Sequence, residues 1–333
     1  MMPASHPPRI CIFDRPPPEE DRWVPGDRYV RPFVRRLLRR RPSTPGGLDK
    51  VRINLALGLD RIGADYLVNP PFGRVRPQDW VCVLGRGAKC LRGYRLPNRI
   101  VGGIGMVTHP SEWPRLFQEF PMAAYLQHCA WCRDLADRYF PGKCVVWPVG
   151  IDVVEWHPAS AEAKRTDFLL YDKVRWEHER YERELIQPVR DALAARGLTC
   201  EEIRYGRYHP EQYHAALDRC RAMLFLCEHE SQGIAYQEAM ASGVPVLAWD
   251  QGRWLDPGRF AWGTPDVPAT SVPYFDGTCG LRFRDAGEFP ERLEEFAAMN
   301  ASGRFTPRDY VLAHLTPEKC ARDLIDILRM ANN

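Results

Sequence analysis

The sequence predicts an α/β protein with two doubly wound, Rossmann-like domains. Short apolar runs alternate with segments of helical period, this alternation occurs twice, and a polar stretch rich in Ala and Pro, 156–166, separates the two halves. Strands that alternate with helices form parallel sheets with helices on both faces. We therefore predict an N-terminal domain over 1–155, a second domain over 156–310 that faces it across a cleft, and a helical end over 311–333 that packs on either.

Each element follows from a local pattern. Short apolar runs predict buried strands at 9–13, 64–68, 80–84, 99–107, 144–149, 167–171, 202–205, 222–227 and 244–249. Helical periodicity predicts helices at 51–62, 126–139, 176–195, 211–221 and from Gly233 onward. Thr316 and Pro317 then form a typical helix start, with Cys320, Leu324, Ile327 and Leu328 on one apolar face.

Composition excludes several classes of protein. The 333 residues are 45% hydrophobic and 27% charged, which is typical of a globular chain with a core of its own. The net charge of +3 does not indicate a dedicated nucleic-acid binder. The sequence contains neither a signal-peptide pattern nor an apolar run long enough to span a membrane. The 11 scattered cysteines are then typical of reduced thiols, and we expect a cytoplasmic protein.

The most informative segment is EHESQGIAYQEAMASGVPV, residues 228–246. Glu230 follows a predicted strand, and Gly233 begins a predicted helix. The N-terminus of a helix attracts phosphate, and ligands of open α/β sheets bind where strands end. Glu238 lies about one and a half turns into that helix, where a carboxylate accepts hydrogen bonds from sugar hydroxyls. This pattern favours a nucleotide-sugar site; the alternative is that both carboxylates only stabilise the helix dipole or the surface.

The same stretch resembles the E-x7-E signature of retaining GT-B glycosyltransferases, with Gly three residues after the first Glu and Glu-Ala-Met-Ala before Gly-x-Pro-Val. Other segments resemble the family in order and spacing. PGGLDKVRINLALGLDRIGADY resembles its N-terminal glycine loop and helix, WPVGID (147–152) its hinge, and PYFDGTCGLRF (273–283) the strand after the signature. The resemblance extends from Gly46 to the C-terminal helix and implies the GT-B fold.

The resemblance also implies residue roles. Glu230 would contact the hydroxyls of the donor sugar, and Glu238 would hold the ribose. Gly47 would let the N-terminal loop approach the donor from across the cleft. The backbone around the helix start would bind the diphosphate through Ser231, Gln232, Gly233 and Ile234. Gln232 departs from the family, because an aromatic residue is common at this position.

Three further residues are candidates. The family places two cations after the first strand of the donor domain, and Lys173 fits one of them; its partner is either Arg175 or Arg180. His109, which ends a predicted strand, would correspond to a histidine near the reacting centre, unless it is only a turn residue. Tyr208 is a candidate to border the nucleotide base.

Other patterns concern metals and partners. The sequence contains no Asp-x-Asp, and the family needs no metal or cofactor besides its donor. Cys129 and Cys132 form a C-x2-C, but their helical spacing favours core packing over zinc binding. The segment 28–41, within a predicted insertion over 15–45, places seven arginines among apolar residues. This pattern predicts a basic amphipathic helix that binds an anionic membrane or DNA, or simply covers the core.

These observations predict a retaining, metal-independent glycosyltransferase of polysaccharide or glycoconjugate biosynthesis. It would move a sugar from a nucleotide-diphosphate sugar to a glycan or lipid-linked acceptor, either free in the cytoplasm or at the periphery of the membrane. One alternative is a DNA-modifying glycosyltransferase that acts on a hydroxylated base. Another is an inactive protein of the same fold that binds a nucleotide sugar or a partner. The donor's base and sugar and the acceptor remain open.

Overall fold

The computed structural model describes residues 8–16, 30, 46–85 and 87–333. Within them the chain forms two compact units, each with one β-sheet. The first unit comprises Met1–Gln127, Ala136–Val145 and Ala321–Asn333, and the second His128–Leu135 and Val146–Cys320. The predicted basic helix 28–41 lies outside the described residues, except for position 30.

The first unit has a six-stranded sheet in the order β2-β1-β3-β4-β5-β6. Its strands are β1 Ile10–Phe13, β2 Tyr66–Val68, β3 Trp80–Val83, β4 Ile100–Gly102, β5 Met122–Gln127 and β6 Cys144–Val146. The pairs from β2 through β5 are parallel. The α-helices of this part of the chain that lie in the ranges described from residue 46 onward are α1 Gly47–Arg61, α2 Leu116–Glu119 and α3 Ala130–Asp137. On α1 the predicted apolar positions Val51, Leu55 and Leu59 are buried.

Two predictions for the first half were wrong in detail. The predicted helix 126–139 is the end of strand β5 followed by α3. Tyr125 and Leu126 are buried in the sheet, so packing against β4 outweighs the helical preference of this Ala-containing run. The predicted strand 99–107 ends at Gly102. Gly103 has φ 147°, and a Cβ there would lie 2.6 Å from the Leu126 carbonyl oxygen, so the extended ladder cannot continue.

The second unit has a five-stranded parallel sheet in the order β11-β10-β9-β7-β8. Its strands are β7 Thr166–Asp172, β8 Cys200–Arg204, β9 Cys220–Leu226, β10 Val246–Trp249 and β11 Gly280–Phe283. The remaining helices are α4 His178–Tyr181, α5 Gln187–Ala194, α6 Pro210–Arg219, α7 Ile234–Ala241, α8 Phe289–Ala301, α9 Pro307–His314 and α10 Pro317–Asn332.

A π-helical turn, Glu182–Ile186, joins α4 to α5 within the predicted helix 176–195. Pro188 follows this turn at the second position of α5. Because proline lacks an N–H and its ring meets the carbonyl four residues back, the backbone widens there.

Both faces of the second sheet are buried, as a doubly wound fold requires. Along β7, Leu169 and Tyr171 belong to one apolar cluster, whereas Phe168 and Leu170 belong to another. Successive side chains of a strand alternate between the two faces, so helices cover both of them. The predicted apolar face of α10 is buried as well.

All 11 cysteines are free thiols. Cys129 and Cys132 are buried with Leu135, in agreement with the prediction that they pack in the core. Within the described ranges, no group of three or more His, Cys, Asp or Glu side chains is arranged to hold a metal ion. None of the described helices combines the length and the apolar character that a membrane crossing requires.

Candidate functional site

Three neighbouring strands of the second sheet end beside one another. The register pairs Asp172 of β7 with Leu226 of β9, and Trp249 of β10 with the same Leu226. The residues after these strand ends are Lys173, the Glu228–Glu230 segment and Asp250. Because carboxyl ends of parallel strands are the usual ligand-binding edge, the sequence motif lies where a site is expected.

Glu230 and Lys173, predicted separately, are in direct contact. The Lys173 ammonium donates to the Glu230 carboxylate, and its backbone N–H donates to the Leu226 carbonyl at 2.8 Å. The Glu230 backbone is held from two sides, by the Thr270 carbonyl at 3.0 Å and by the Trp131 indole N–H at 2.8 Å. The site therefore holds an oriented ion pair at the end of β9.

This ion pair fixes the charge of Lys173. Burial lowers the pKa of the ammonium, but the Glu230 carboxylate and the neighbouring Cys227 outweigh burial and raise that pKa above its ordinary value. The ammonium also lies 4.6 Å from the centre of the Tyr205 ring. Lys173 therefore carries a positive charge at neutral pH.

The structure separates the two candidate partners of Lys173. Arg175 lies beside the motif, with a guanidinium nitrogen 3.4 Å from the His229 carbonyl oxygen. Arg180 is half exposed and is bonded to Glu177 at 3.0 Å and Glu184 at 2.8 Å on the surface of the following helix. Of the two arginines, Arg175 is therefore the one that lies beside the Glu228–Glu230 segment.

Glu228, the first glutamate of the motif segment, has a structural task that the sequence analysis missed. Its side chain is fully buried, and one carboxylate oxygen accepts the backbone N–H groups of Arg175 at 2.7 Å and Trp176 at 2.9 Å. This carboxylate therefore fixes the turn after β7 that carries Lys173 and Arg175. The only sequence signal was a second glutamate two residues before Glu230.

The turn before α7 has the predicted helix-start geometry. Gly233 has φ 81°, and a Cβ there would overlap the ring of Tyr236. Ser231 is exposed and Ile234 is the first residue of the helix. The first N–H groups of an α-helix have no partner within it, so the start of α7 offers backbone donors near the end of β9. Gly243 ends the helix at φ 72°.

Gln232 is buried, and its side chain points away from that turn. Its amide oxygen accepts the Val149 N–H at 3.0 Å, and its amide nitrogen donates to the Val149 carbonyl at 3.3 Å and to Gln237 Oε1 at 2.8 Å. Gln232 thus joins the turn to the WPVGID segment, a contact that an aromatic side chain does not provide.

Glu238 and Tyr208 lie near each other. Glu238 is buried on α7. Burial raises the pKa of Tyr208, its hydrogen bond with Tyr171 lowers it, and the Glu238 carboxylate raises it further. The hydroxyls of Tyr208 and Tyr171 are 2.6 Å apart. The carboxylate predicted for the ribose and the tyrosine predicted for the base therefore belong to one region of the second unit.

His109 and Gly47 belong to the first unit. His109 is fully buried and caps the short 3-10 helix Pro110–Glu112, with Nδ1 2.7 Å from Ser111 Oγ. Burial lowers its pKa, which favours the neutral ring. It follows the end of β4 by seven residues, so its predicted position at a strand end was wrong. Gly47 is the first residue of α1, with open space where a Cβ would be.

His128 is the histidine that directly follows a strand, and sequence reasoning missed it because 126–139 was read as a helix. It comes after Gln127, the last residue of β5, and belongs to the second unit. Burial lowers its pKa to about 4, while a hydrogen bond with the Trp147 backbone and then the Glu230 carboxylate act in the opposite direction. Among the described residues, its Nδ1 has no hydrogen-bond partner. His128 is thus a buried, neutral imidazole close to Glu230.

No protein-family model and no curated protein matches this sequence. Solved structures, in contrast, match this chain. The glycosyltransferase AviGT4, involved in avilamycin A biosynthesis, is 14% identical with a TM-score of 0.59, over 97% of both chains. The lipopolysaccharide outer core galactosyltransferase WaaB is 10% identical with a TM-score of 0.53, over 96% of this chain and 99% of that one.

A TarM mutant from S. aureus, in complex with fondaparinux, α-GlcNAc-glycerol and UDP, is 10% identical with a TM-score of 0.55. That match includes 84% of this chain and 58% of TarM. At these identities the likeness defines the class of fold: a two-domain, Rossmann-like α/β protein with the architecture of GT-B glycosyltransferases.

Proposed function

We propose that this protein is a retaining, metal-independent glycosyltransferase that uses a nucleotide-diphosphate sugar. The observation that carries the proposal is the Lys173–Glu230 pair at the end of β9, beside the N-terminus of α7. A nucleotide sugar combines a diphosphate with hydroxyl groups, so it requires cations, N–H donors and carboxylates together. The shared fold with AviGT4 and the UDP in the TarM complex support the same proposal.

In this proposal the diphosphate binds at the N-terminus of α7, next to Lys173 and Arg175. When the bond between the sugar and the diphosphate breaks, negative charge develops on the leaving phosphate oxygen. Cations and backbone N–H groups already held in place stabilise that charge without reorganisation. Glu228 contributes indirectly, because it fixes the backbone of Arg175. The leaving phosphate then takes the proton of the acceptor hydroxyl, and a separate general base is not needed.

Glu230 binds hydroxyls of the donor sugar, and Glu238 binds the ribose. The carboxylate of Glu230 has an oxygen in contact with Lys173, which orients it, and its second oxygen is the one proposed to accept from the sugar. For the histidine near the reacting centre, we favour His128 over His109. A neutral imidazole donates through one nitrogen and accepts through the other, which suits a sugar hydroxyl.

The acceptor that we propose is a glycan or lipid-linked saccharide. This part of the proposal depends on the family resemblance and on the carbohydrate chemistry named for AviGT4 and WaaB. Membrane or DNA binding through 28–41 concerns residues outside the described part of the chain and remains a prediction from sequence.

A thermal-shift screen with UDP, GDP, ADP, CDP and TDP tests the proposal. Ligand binding to the folded state raises its stability, by about 2.7 kcal/mol at a concentration of 100 times Kd. We expect one diphosphate to raise Tm by several degrees, and Lys173→Met to remove most of that shift. Lys143→Met, at an exposed lysine of the first unit, is the matched control and should retain it. No shift with any of the five would contradict the proposal.

A further inference from the structure

Residues 250–271, the first part of the connection between β10 and β11, form a loop that contacts the Glu228–Glu230 segment. It contacts three consecutive residues of that segment. Gln251 donates to the Glu228 carbonyl at 2.9 Å, the Leu255 N–H donates to His229 Nδ1 at 3.3 Å, and Thr270 accepts the Glu230 N–H at 3.0 Å. The 250–271 loop is therefore attached along the whole length of the Glu228–Glu230 segment.

Internal contacts hold the 250–271 loop in one conformation. The backbone N–H of Trp254 donates to the Val267 carbonyl at 2.8 Å, and the backbone N–H of Ala269 donates to the Gly252 carbonyl at 3.1 Å. The rings of Trp254 and Trp262 stack with their centres 5.5 Å apart and their planes within 5°. A side chain carried by this loop therefore has a defined position beside the motif.

Arg259 is such a side chain. One of its terminal nitrogens donates to the carbonyls of Leu255 and Asp256, both at 2.9 Å. Because the Leu255 N–H donates to His229, Arg259 is connected to the motif through a single residue. Its other guanidinium N–H groups are not used in these two bonds. Within the described ranges, Arg259 forms no ion pair with a carboxylate.

The other two cations of the site have carboxylate partners. Lys173 contacts Glu230, and Arg175 Nε lies 3.8 Å from Glu228. Burial lowers the pKa of His229 to about 2, and the positive charges of Arg175, Lys173 and Arg259 lower it in the same direction. Of these three cations, Lys173 and Arg175 are thus offset by carboxylates, and Arg175 is the one in contact with the His229 ring, at 3.3 Å from Nε2.

The diphosphate of a nucleotide sugar adds a negative charge on each of its phosphates to a place that already contains the carboxylates of Glu228 and Glu230. Lys173 and Arg175 alone would leave the occupied site with an excess of negative charge. Among the described residues Arg259 has no carboxylate partner, and its guanidinium lies 4.2 Å from the centre of the Phe260 ring. A guanidinium binds phosphate oxygens through two parallel N–H bonds. The missing positive charge therefore comes from the loop after β10.

We propose that Arg259 is a third diphosphate-binding residue, which the 250–271 loop carries to the donor's phosphates. This inference rests on the proposed function, because it assumes that the diphosphate binds beside Lys173. The inference adds to the diphosphate site a residue that belongs neither to the E-x7-E segment nor to the pair Lys173 and Arg175.

The test is isothermal titration calorimetry with inorganic pyrophosphate, which presents a diphosphate without a base. Arg259→Gln removes the charge and keeps a donor for the two carbonyls, so we expect affinity for pyrophosphate to fall about tenfold or more. Arg259→Lys keeps the positive charge but lacks the two parallel N–H donors of a guanidinium. Its affinity for pyrophosphate should therefore lie between those of the wild type and Arg259→Gln. The matched control is Arg253→Gln in the same loop, which is exposed and pairs with Asp266 at 3.1 Å. The Arg253→Gln variant should bind pyrophosphate with the affinity of the wild type.

The outcomes separate this inference from the proposed function. If Lys173→Met no longer binds pyrophosphate but Arg259→Gln binds it with the affinity of the wild type, Arg259 does not contact the diphosphate. The proposed function then stands and the inference about Arg259 fails. Equal weakening by Arg259→Gln and Arg253→Gln would mean a general charge effect and would also overturn the inference. If the wild type binds neither pyrophosphate nor any of the five nucleoside diphosphates, both proposals fail. If Arg259→Gln does not fold, Arg259→Lys is the variant that decides. The inference is then contradicted if Arg259→Lys binds pyrophosphate with the affinity of the wild type and with the same dependence of that affinity on salt.

Discussion

Gln232 connects two loops of the second unit through one buried amide. The amide satisfies both the N–H and the carbonyl of Val149 and is itself oriented by Gln237. A peptide group in a buried loop needs such partners, because an unsatisfied buried donor or acceptor costs about 1–3 kcal/mol. The glutamine therefore stabilises the turn that precedes α7 and leaves the backbone of that turn available for a ligand.

Gln232→Leu should lower the free energy of unfolding by about 1–3 kcal/mol, because it leaves both backbone polar groups of Val149 and the amide oxygen of Gln237 without their partner. Urea denaturation measures this change. Ser231→Ala, at the exposed neighbouring position, is the control and should change stability by less than about 0.5 kcal/mol. Equal stability of Gln232→Leu and the wild type would show that the Val149 contact is not stabilising.

Individual residues differed in how far sequence could identify them. Glu230 and Lys173 were predicted because a motif and a strand end mark them locally, and the structure places them in contact. Glu228, His128 and Arg259 were not predicted. Their positions depend on contacts between distant parts of the chain, such as the bond between Trp131 and Glu230, which are 99 residues apart.

The start of α7 depends on a glycine. Gly233 has φ 81°, a conformation that costs other residues about 1 kcal/mol or more, and the Tyr236 ring occupies the space where a Cβ would lie. Tyr236 is itself fully buried, and its hydroxyl accepts the Tyr274 N–H at 2.9 Å. The ring therefore cannot move aside without breaking other contacts.

Gly233→Ala should destabilise the protein by about 2 kcal/mol or more and weaken nucleoside diphosphate binding, because both the backbone angle and the ring contact are lost. Denaturant unfolding and the thermal-shift screen measure the two effects. Gly277→Ala is the matched control. Gly277 does not have a positive φ, and no atom lies within 4 Å of the place that a Cβ would occupy. If both variants had the stability and the binding of the wild type, the helix start would not require glycine.

Most secondary-structure elements followed from local patterns, and their ends did not. The apolar strands β7, β9 and β10 of the second sheet were predicted within a few residues, because buried parallel strands are continuous apolar runs. Strand β11 followed only from the family resemblance of residues 273–283. The segment 122–127 was not recognised as a strand. Its Met-Ala-Ala-Tyr-Leu-Gln sequence has no strong strand preference, and only its place between β4 and β6 selects the extended conformation.

The two parallel sheets and the likeness to GT-B structures confirm the predicted fold class. The alternation of strands and helices along the chain is sufficient to predict such sheets. It could not indicate that 128–135 groups with the second unit, because this depends on side-chain contacts such as the bond between the Tyr274 hydroxyl and the His128 carbonyl. Fold class is a property of the repeating pattern, whereas the make-up of each unit depends on individual long-range contacts.

The central claim is that the chain transfers a sugar from a nucleotide-diphosphate donor with Glu230 at the sugar. Proton NMR of the wild type with the nucleotide sugars of the base selected in the screen tests it directly, with water or added saccharides as acceptor. We expect release of the nucleoside diphosphate and a product with the anomeric configuration of the donor. Glu230→Gln should slow this release about 100-fold or more, whereas Glu184→Gln, at an exposed glutamate, should not. Wild-type rates in Glu230→Gln, an inverted product, or no turnover of any donor would contradict the account.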